Sequence, residues 1–275
     1  EGIQLFEHIL ANVQPDTAAL KNTILDKLKE RDDTKLSKRS ILYGGLLNYG
    51  QYGKDSPIKH YLNKEELNNL DPNDLVAKIK NLTSYHHYIY YYGRKEVNEI
   101  KSILNKYHLT PNELQSIKQA KKFKELSMDS NKVYFVNYDM VQSELMMLSK
   151  AGQYDENLLA TSKVFNEYFG SGLSSIIFQE IRGSKALAYS AYSVFTIPNK
   201  LDKSHYVRAY VGTQVDKLED AKVAMIDLMN KMPEVENQFQ SAKIAALKKI
   251  ETSRTKRASL FWKYLSSNQM GRNYD

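Results

Sequence analysis

Arg182 and Tyr189 stand seven positions apart in the stretch 164–189, VFNEYFGSGLSSIIFQEIRGSKALAY. A guanidinium presents several N–H donors in a fixed fork, and a phenol presents one O–H. Both suit a carbonyl oxygen that becomes negative as a nucleophile adds, such as a peptide carbonyl attacked by water. Spacing alone fits a second arrangement, an Arg paired with a nearby acid and a Tyr packed in a sheet, and such structural pairing is the commoner one. Gly170-Ser171-Gly172 could turn the chain tightly. A phosphate cradle would need a preceding strand and a Lys in register, which are missing, so a hinge between helices that lets Phe178 pack is expected.

The six histidines are His8, His60, His86, His87, His108 and His205. A helical zinc site needs two His four positions apart with a Glu to activate water, and no pair has that spacing. His86 and His87 would point to opposite faces of a strand. With no Cys in the chain, disulfides and thiolate zinc sites are excluded. No metal site and no cofactor are therefore expected in this chain.

The elements that must position Arg182 and Tyr189 follow from periodicity. Helices are expected at 156–169 and 173–182, then strands at 186–197 and 204–213, so Arg182 closes a helix and Tyr189 lies just inside a strand. The second strand alternates Tyr206, Arg208 and Tyr210 with Val207, Ala209 and Val211, which predicts one wet and one buried face. Two further strands are expected at 132–137 and 142–150, and long helices at 215–231 and 234–267. Ahead of them, helices are expected at 5–13 and about 17–50, at 64–69 capped by Asn63, and from Asp71-Pro72 onward. The β-forming run 85–92 ends at Gly93, and a helix around Val97–Leu104 follows. Antiparallel strands with helices gathered on one side make an α+β two-layer sandwich.

Residues 1–57 align without a gap on 219–275, at the 218-residue offset that separates Gly53 from Gly271. Pro15/Pro233, Lys38-Arg39/Lys256-Arg257, Leu42/Leu260, Leu47/Leu265 and Gln51/Gln269 coincide, whereas the region of Ile24 and Leu25 matches poorly. This predicts a tandem repeat of about 218 residues. The domains are then 1–108, the C-terminal part of one repeat; 109–127, a polar linker; and 128–275, the N-terminal and central part of the next.

The 275 residues suffice for a substantial core, and 42% hydrophobic and 26% charged residues are ordinary for a globular chain. No apolar run is long enough to cross a membrane. The net charge of +7 is spread along the sequence. The densest run, KQAKKFKE at 118–125, reads as a solvated helix face, and no nucleic-acid partner is expected. The opening at Glu1 without Met predicts a fragment or a processed product. Freedom from Cys is compatible with an oxidising compartment without fixing one; a periplasmic or secreted location is favoured over a cytoplasmic one.

The order of helix, Gly-Ser-Gly, FQEIR and LAY in 164–189 resembles the C-terminal half of the insulinase/pitrilysin family of zinc metallopeptidases. The resemblance implies a mitochondrial-processing-peptidase-like repeat. It also implies that this is the substrate-gripping half, which holds no metal. By it, Arg182 and Tyr189 match the pair that reaches across a chamber to the scissile peptide. Zinc would then belong to a separate N-terminal half, in the same polypeptide or in a partner subunit, and this chain by itself would be inactive. Peptide adds as a strand to a sheet edge in the metal-binding half; strand 204–213 would be the structural equivalent of that edge here, and is expected to be an ordinary structural strand. The alternatives are a non-catalytic structural or assembly subunit of the same family, and a basic, Tyr-rich module that binds a polyanion.

Overall fold

The structure, a computed structural model, describes residues 1–273. They form two compact units: Glu1–Ser37 with Lys59–Lys122, and Lys38–Ile58 with the chain from Phe123 onward.

The first unit is helical: α1 (Gly2–Asn12), α2 (Thr17–Lys35), α4 (Lys64–Asn68), α5 (Pro72–Lys80) and α6 (Val97–Tyr107). The expected start signals operate as written. Asn63 and Glu66 form a reciprocal capping box on α4, and the Asp71 carboxylate accepts from the Asn73 N–H with Pro72 in the first turn of α5. Residues 85–92 do not form the expected strand. One parallel bridge, Tyr85 to Gln115, is their only β-bridge among the described residues, because β-forming side chains make a strand only where a neighbouring strand takes the backbone bonds. Residues 118–125 are irregular rather than helical.

The second unit is built on a three-stranded antiparallel sheet in the order β1 (Gln142–Gln153), β3 (Ser204–Gln214), β2 (Ser190–Thr196). Leu145, Val211 and Ala191 sit abreast on one face, as do Met147, Ala209 and Ser193. This inner face packs on α7 (Leu158–Phe165), two π-helical turns (Asn166–Gly170 and Phe178–Ser184), α8 (Leu218–Asn230) and α9 (Glu236–Thr252). α8 presents Ala221, Ala224, Met225 and Leu228 at the spacing of one helical stripe. Ile177, Ile181 and Met225 are wholly buried, each contributing about 1.5–3 kcal/mol from lost apolar surface. His205 is a core residue, its Nε2 accepting from the Asp155 N–H at 3.0 Å and its Nδ1 facing the Thr196 carbonyl at 3.2 Å.

Three expectations change here. Residues 132–137 do not pair: Val133 and Phe135 are 87% and 84% exposed, with no strand beside them among the described residues. The long helices expected at 17–50 and 234–267 are each broken. The first divides into α2, a π-helical turn (Ser40–Leu46) and α3 (Leu47–Tyr52), and the second into α9 and α10 (Arg257–Gln269). The face of β3 with Tyr206, Arg208 and Tyr210 is not wet, since residues 38–52 lie across it and leave Tyr206 2% exposed.

Candidate substrate-side site

Arg182 lies in the π-helical turn Phe178–Ser184, which ends the helical run begun in the core by Ile176 and Ile177. Ile181, the residue before it, is fully buried and anchors the turn, while Arg182 itself is exposed. Its guanidinium lies 4.9 Å from the centre of the Phe178 ring, and no carboxylate pairs with it among the described residues. Phe178 thus supports Arg182 instead of entering the core.

The connection to β2 is tied down at every step. Lys185 N–H donates to the Glu180 carbonyl at 3.2 Å, and Leu187 N–H to the Ile181 carbonyl at 2.9 Å. The Thr213 hydroxyl donates to the Leu187 carbonyl, and Lys217 Nζ to the Ala186 carbonyl at 3.3 Å. Ala186 has φ +47°, a left-handed conformation that costs a residue with a Cβ about 1 kcal/mol or more and is held by these surrounding bonds. Tyr189 stands one residue before β2, and its N–H extends the ladder by donating to the Gly212 carbonyl at 2.9 Å. Its ring is 53% exposed. The hydroxyl accepts from Gln214 Nε2 at 2.7 Å, which leaves its own O–H to donate elsewhere.

Gln214, Thr213 and Lys217 carry no motif. They are found only through the register, which sets β3 beside the segment leading into β2. Gly170 also has a different role from the expected hinge. The turn Asn166–Gly170 runs beside β2, where the Asn166 amide takes both backbone groups of Phe195: Phe195 N–H donates to Oδ1 at 2.7 Å and Nδ2 donates to the carbonyl at 3.0 Å. A Cβ on Gly170 would lie 1.9 Å from the Ser193 carbonyl oxygen. This is a closure of helix on strand that only glycine permits.

Strand 204–213 is the central strand, with β1 on one side and β2 on the other, so it has no open edge and is the ordinary structural strand expected of it. Its covered face holds a tyrosine layer. The Tyr43 and Tyr192 hydroxyls share a hydrogen bond, Tyr192 stacks on Tyr210 at 5.1 Å, and Lys38 pairs with Glu144 at 3.0 Å. Burial, then the neighbouring Glu144 and Tyr43, push the Tyr210 hydroxyl up to about 12. Tyr192 is raised by burial and by Tyr43, and Tyr206 by burial and by Glu125. The folded chain therefore keeps protons that the unfolded chain releases above about pH 10. Stability from these groups is complete below pH 10 and falls as pH rises through the folded values, because the unfolded state then binds fewer protons. Denaturation midpoints taken from pH 9 to 12 are expected to fall steadily above pH 10, less steeply in Tyr210→Phe; a flat profile would contradict this layer.

Among the described residues there is no group of three or more His, Asp and Glu side chains placed to hold a metal, and no helix long and apolar enough to cross a membrane.

Many solved structures share this fold, three of which illustrate the likeness. A protease from Helicobacter pylori is 16% identical with a TM-score of 0.67, over 98% of this chain and 67% of its own. The ferredoxin protease FusC, solved as a mutant in complex with Arabidopsis ferredoxin, is 11% identical with a TM-score of 0.71, over 97% of this chain and 29% of its own. The periplasmic protease PqqL from Escherichia coli is 13% identical with a TM-score of 0.60, over 92% of this chain and 28% of its own. A search of curated proteins by sequence found no match. Residues 73–249, well over half of the chain, match the family model described as the peptidase M16 inactive domain. The chain therefore belongs to the peptidase M16 inactive-domain family, in keeping with the non-metal, C-terminal half of insulinase/pitrilysin-type peptidases.

Proposed function

We propose that this chain is the substrate-side segment of a zinc metallopeptidase and supplies Arg182 and Tyr189 to its peptide chamber. The observation that carries this reading is the way residues 180–189 are built. A connection bonded throughout to β3 and the helical core leaves one guanidinium and one phenol exposed. Such donors, fixed before substrate arrives, suit a peptide carbonyl whose oxygen gains charge during hydrolysis. Among the described residues no group of His, Asp and Glu is placed to hold a metal; in this reading the metal and the glutamate base belong to the other half, in the same polypeptide or a partner subunit. When bound there, zinc supplies the activated water; Arg182 and Tyr189 hold and orient the peptide. The likeness to a protease seen with a ferredoxin favours peptide or protein substrates, and that to a periplasmic protease favours a location outside the cytoplasm.

The tandem repeat belongs to the same proposal. Shifted by 218 residues, α2 falls on 235–253, where α9 runs Glu236–Thr252, and α1 falls on 220–230, inside α8. The stretch 40–52 falls on 258–270, where α10 runs Arg257–Gln269. Gly53 and Gly271, at equivalent ends, have φ +66° and +65°. The boundaries 1–108, 109–127 and 128–275 combine this register with the polar, lysine-rich composition of the connecting stretch.

The test is Tyr189→Phe in the enzyme assembled with its zinc-bearing half. Losing one donor should lower kcat for peptide hydrolysis about tenfold or more, with the melting temperature little changed because the ring is exposed. Unchanged kcat would remove Tyr189 from the site. A complete assembly that cleaves no peptide would favour the structural or assembly role instead.

A further inference from the structure

In the helical unit Glu7, His108, His87 and Tyr85 form one line of contacts. The Glu7 carboxylate lies 2.6 Å from His108 Nδ1. His108 Nε2 and His87 Nε2 face each other at 2.8 Å, with the rings edge to face at 82°. His87 Nδ1 then lies 2.6 Å from the Tyr85 carbonyl oxygen. The two ends of this line, an ionised carboxylate and a backbone carbonyl, can only accept hydrogen bonds. Each Nδ1 must therefore carry a proton, and the gap between the two Nε2 atoms needs one more. Three contacts call for three protons, whereas two neutral imidazoles hold two.

We propose that His87 and His108 share one extra proton and act as a pH-sensitive clamp, which holds the tyrosine-rich run 85–92 to α1 and the end of α6 while that proton is bound. Two features favour the charge. Glu7 balances it from a shielded position, 18% exposed, beside a His108 side chain that is 11% exposed. His108 also closes α6, its N–H donating to the Leu104 carbonyl at 2.8 Å, where the unpaired carbonyls of a helix end favour a cation. Other charges on the packed elements are engaged elsewhere or face solvent. On α1, His8 turns to Asn12 at 3.2 Å; on α6, Glu99 pairs with Lys95, Lys106 lies over the Tyr107 ring and Lys101 is exposed. Asp74, Lys78 and Lys80 of α5, His86 beside the pair, and Glu113 near the Gln115 bridge are exposed as well. His87 is itself exposed, so solvent can take or return the proton. When the proton leaves, one of the three contacts sets lone pair against lone pair. A fourth proton is no better, since it sets N–H against N–H between the rings. Imidazole is the side chain whose charge ordinarily changes between pH 5 and 8, so the clamp works in that range.

The test reads the proton and the clamp together in the 1–275 chain. With the histidine ring nitrogens isotopically labelled, their magnetic-resonance shifts at about pH 6 should show both Nδ1 atoms protonated and a single proton between the two Nε2 atoms. Raising the pH to about 8.5 should remove one proton from the two rings with one common midpoint. Over the same range the His86 amide, which donates to the Gln115 carbonyl at 3.0 Å beside the clamp, should exchange about fivefold faster or more, after correction for the intrinsic pH dependence. Glu7→Gln keeps an acceptor for His108 and removes the balancing charge, so the clamp should open at lower pH. His87→Phe, at an exposed position, should leave the His86 amide fast at every pH. His8→Asn, outside the line, should leave the profile unchanged. Separate midpoints for the two rings, two protons on the pair at about pH 6, or one exchange profile shared by the native chain and His87→Phe would each overturn the proposal. None of these readouts depends on peptide hydrolysis, so failure of the Arg182–Tyr189 reading would show separately.

Discussion

Gly170→Ala is expected to destabilise the protein by about 4 kcal/mol, the range reached only by strong steric or core defects. A Cβ at this position would stand 1.9 Å from the carbonyl oxygen of Ser193 and 2.6 Å from its carbon. Neither neighbour can swing aside as a flexible side chain would, because both belong to the backbone of β2. β2 is held on its other side by β3, and Ser193 is fully buried. Relief would have to come from the turn Asn166–Gly170, which Asn166 fastens to Phe195 and Tyr168 fastens to the start of α9. The Tyr168 hydroxyl donates to the Pro233 carbonyl at 2.6 Å and accepts from the Val235 N–H at 2.8 Å. The strain thus spreads over two helical layers and one strand. Thermal unfolding should show the melting temperature lowered by roughly 10 °C or more. A shift under about 2 °C, within what a benign surface change produces, would mean that helix and strand do not approach as described. Gly172→Ala is the control, since its nearest neighbour stands at 3.6 Å.

Arg182→Ala in the assembled peptidase is expected to lower kcat/KM for peptide hydrolysis about 100-fold, the effect typical of removing one fixed donor to a developing oxyanion. Arg182→Lys should recover only part of this, since an ammonium keeps the charge and loses the planar fork. Stability should fall by about 1 kcal/mol at most, from the lost contact with Phe178 at an exposed position. The separation of the two effects is the diagnostic: a large stability loss with unchanged kinetics would assign Arg182 a structural role. A loss confined to KM would make it a ground-state peptide ligand.

Much of this was legible in residue order. Asn63 and Asp71 announced their helices because capping is a local exchange between a side chain and an N–H two or three residues on. The alternation in 204–213 announced a strand for a similar reason: period two is a property of the chain itself. Residues 85–92 and 132–137 carry the same β-forming types and form no strand, since strand formation needs a partner that composition cannot supply. Gln214, Lys217 and Thr213 stayed hidden because their part in the site is a matter of register. A strand 25 residues away in sequence brings Gln214 to the Tyr189 hydroxyl.

Residue order by itself determined the family resemblance and the fact that β3 has two unlike faces; the Arg182–Tyr189 pair and the repeat offset read from it belong to the proposed function. Only the tertiary structure decided which of those faces is covered, and by what. Periodicity states that Tyr206, Arg208 and Tyr210 share a side. Whether that side meets water depends on where residues 38–52, more than 150 positions earlier, come to rest. Gly170 shows the same division. Its sequence setting permits a hinge and a close approach alike, and only the strand that arrives 23 residues later, at Ser193, makes the missing Cβ essential.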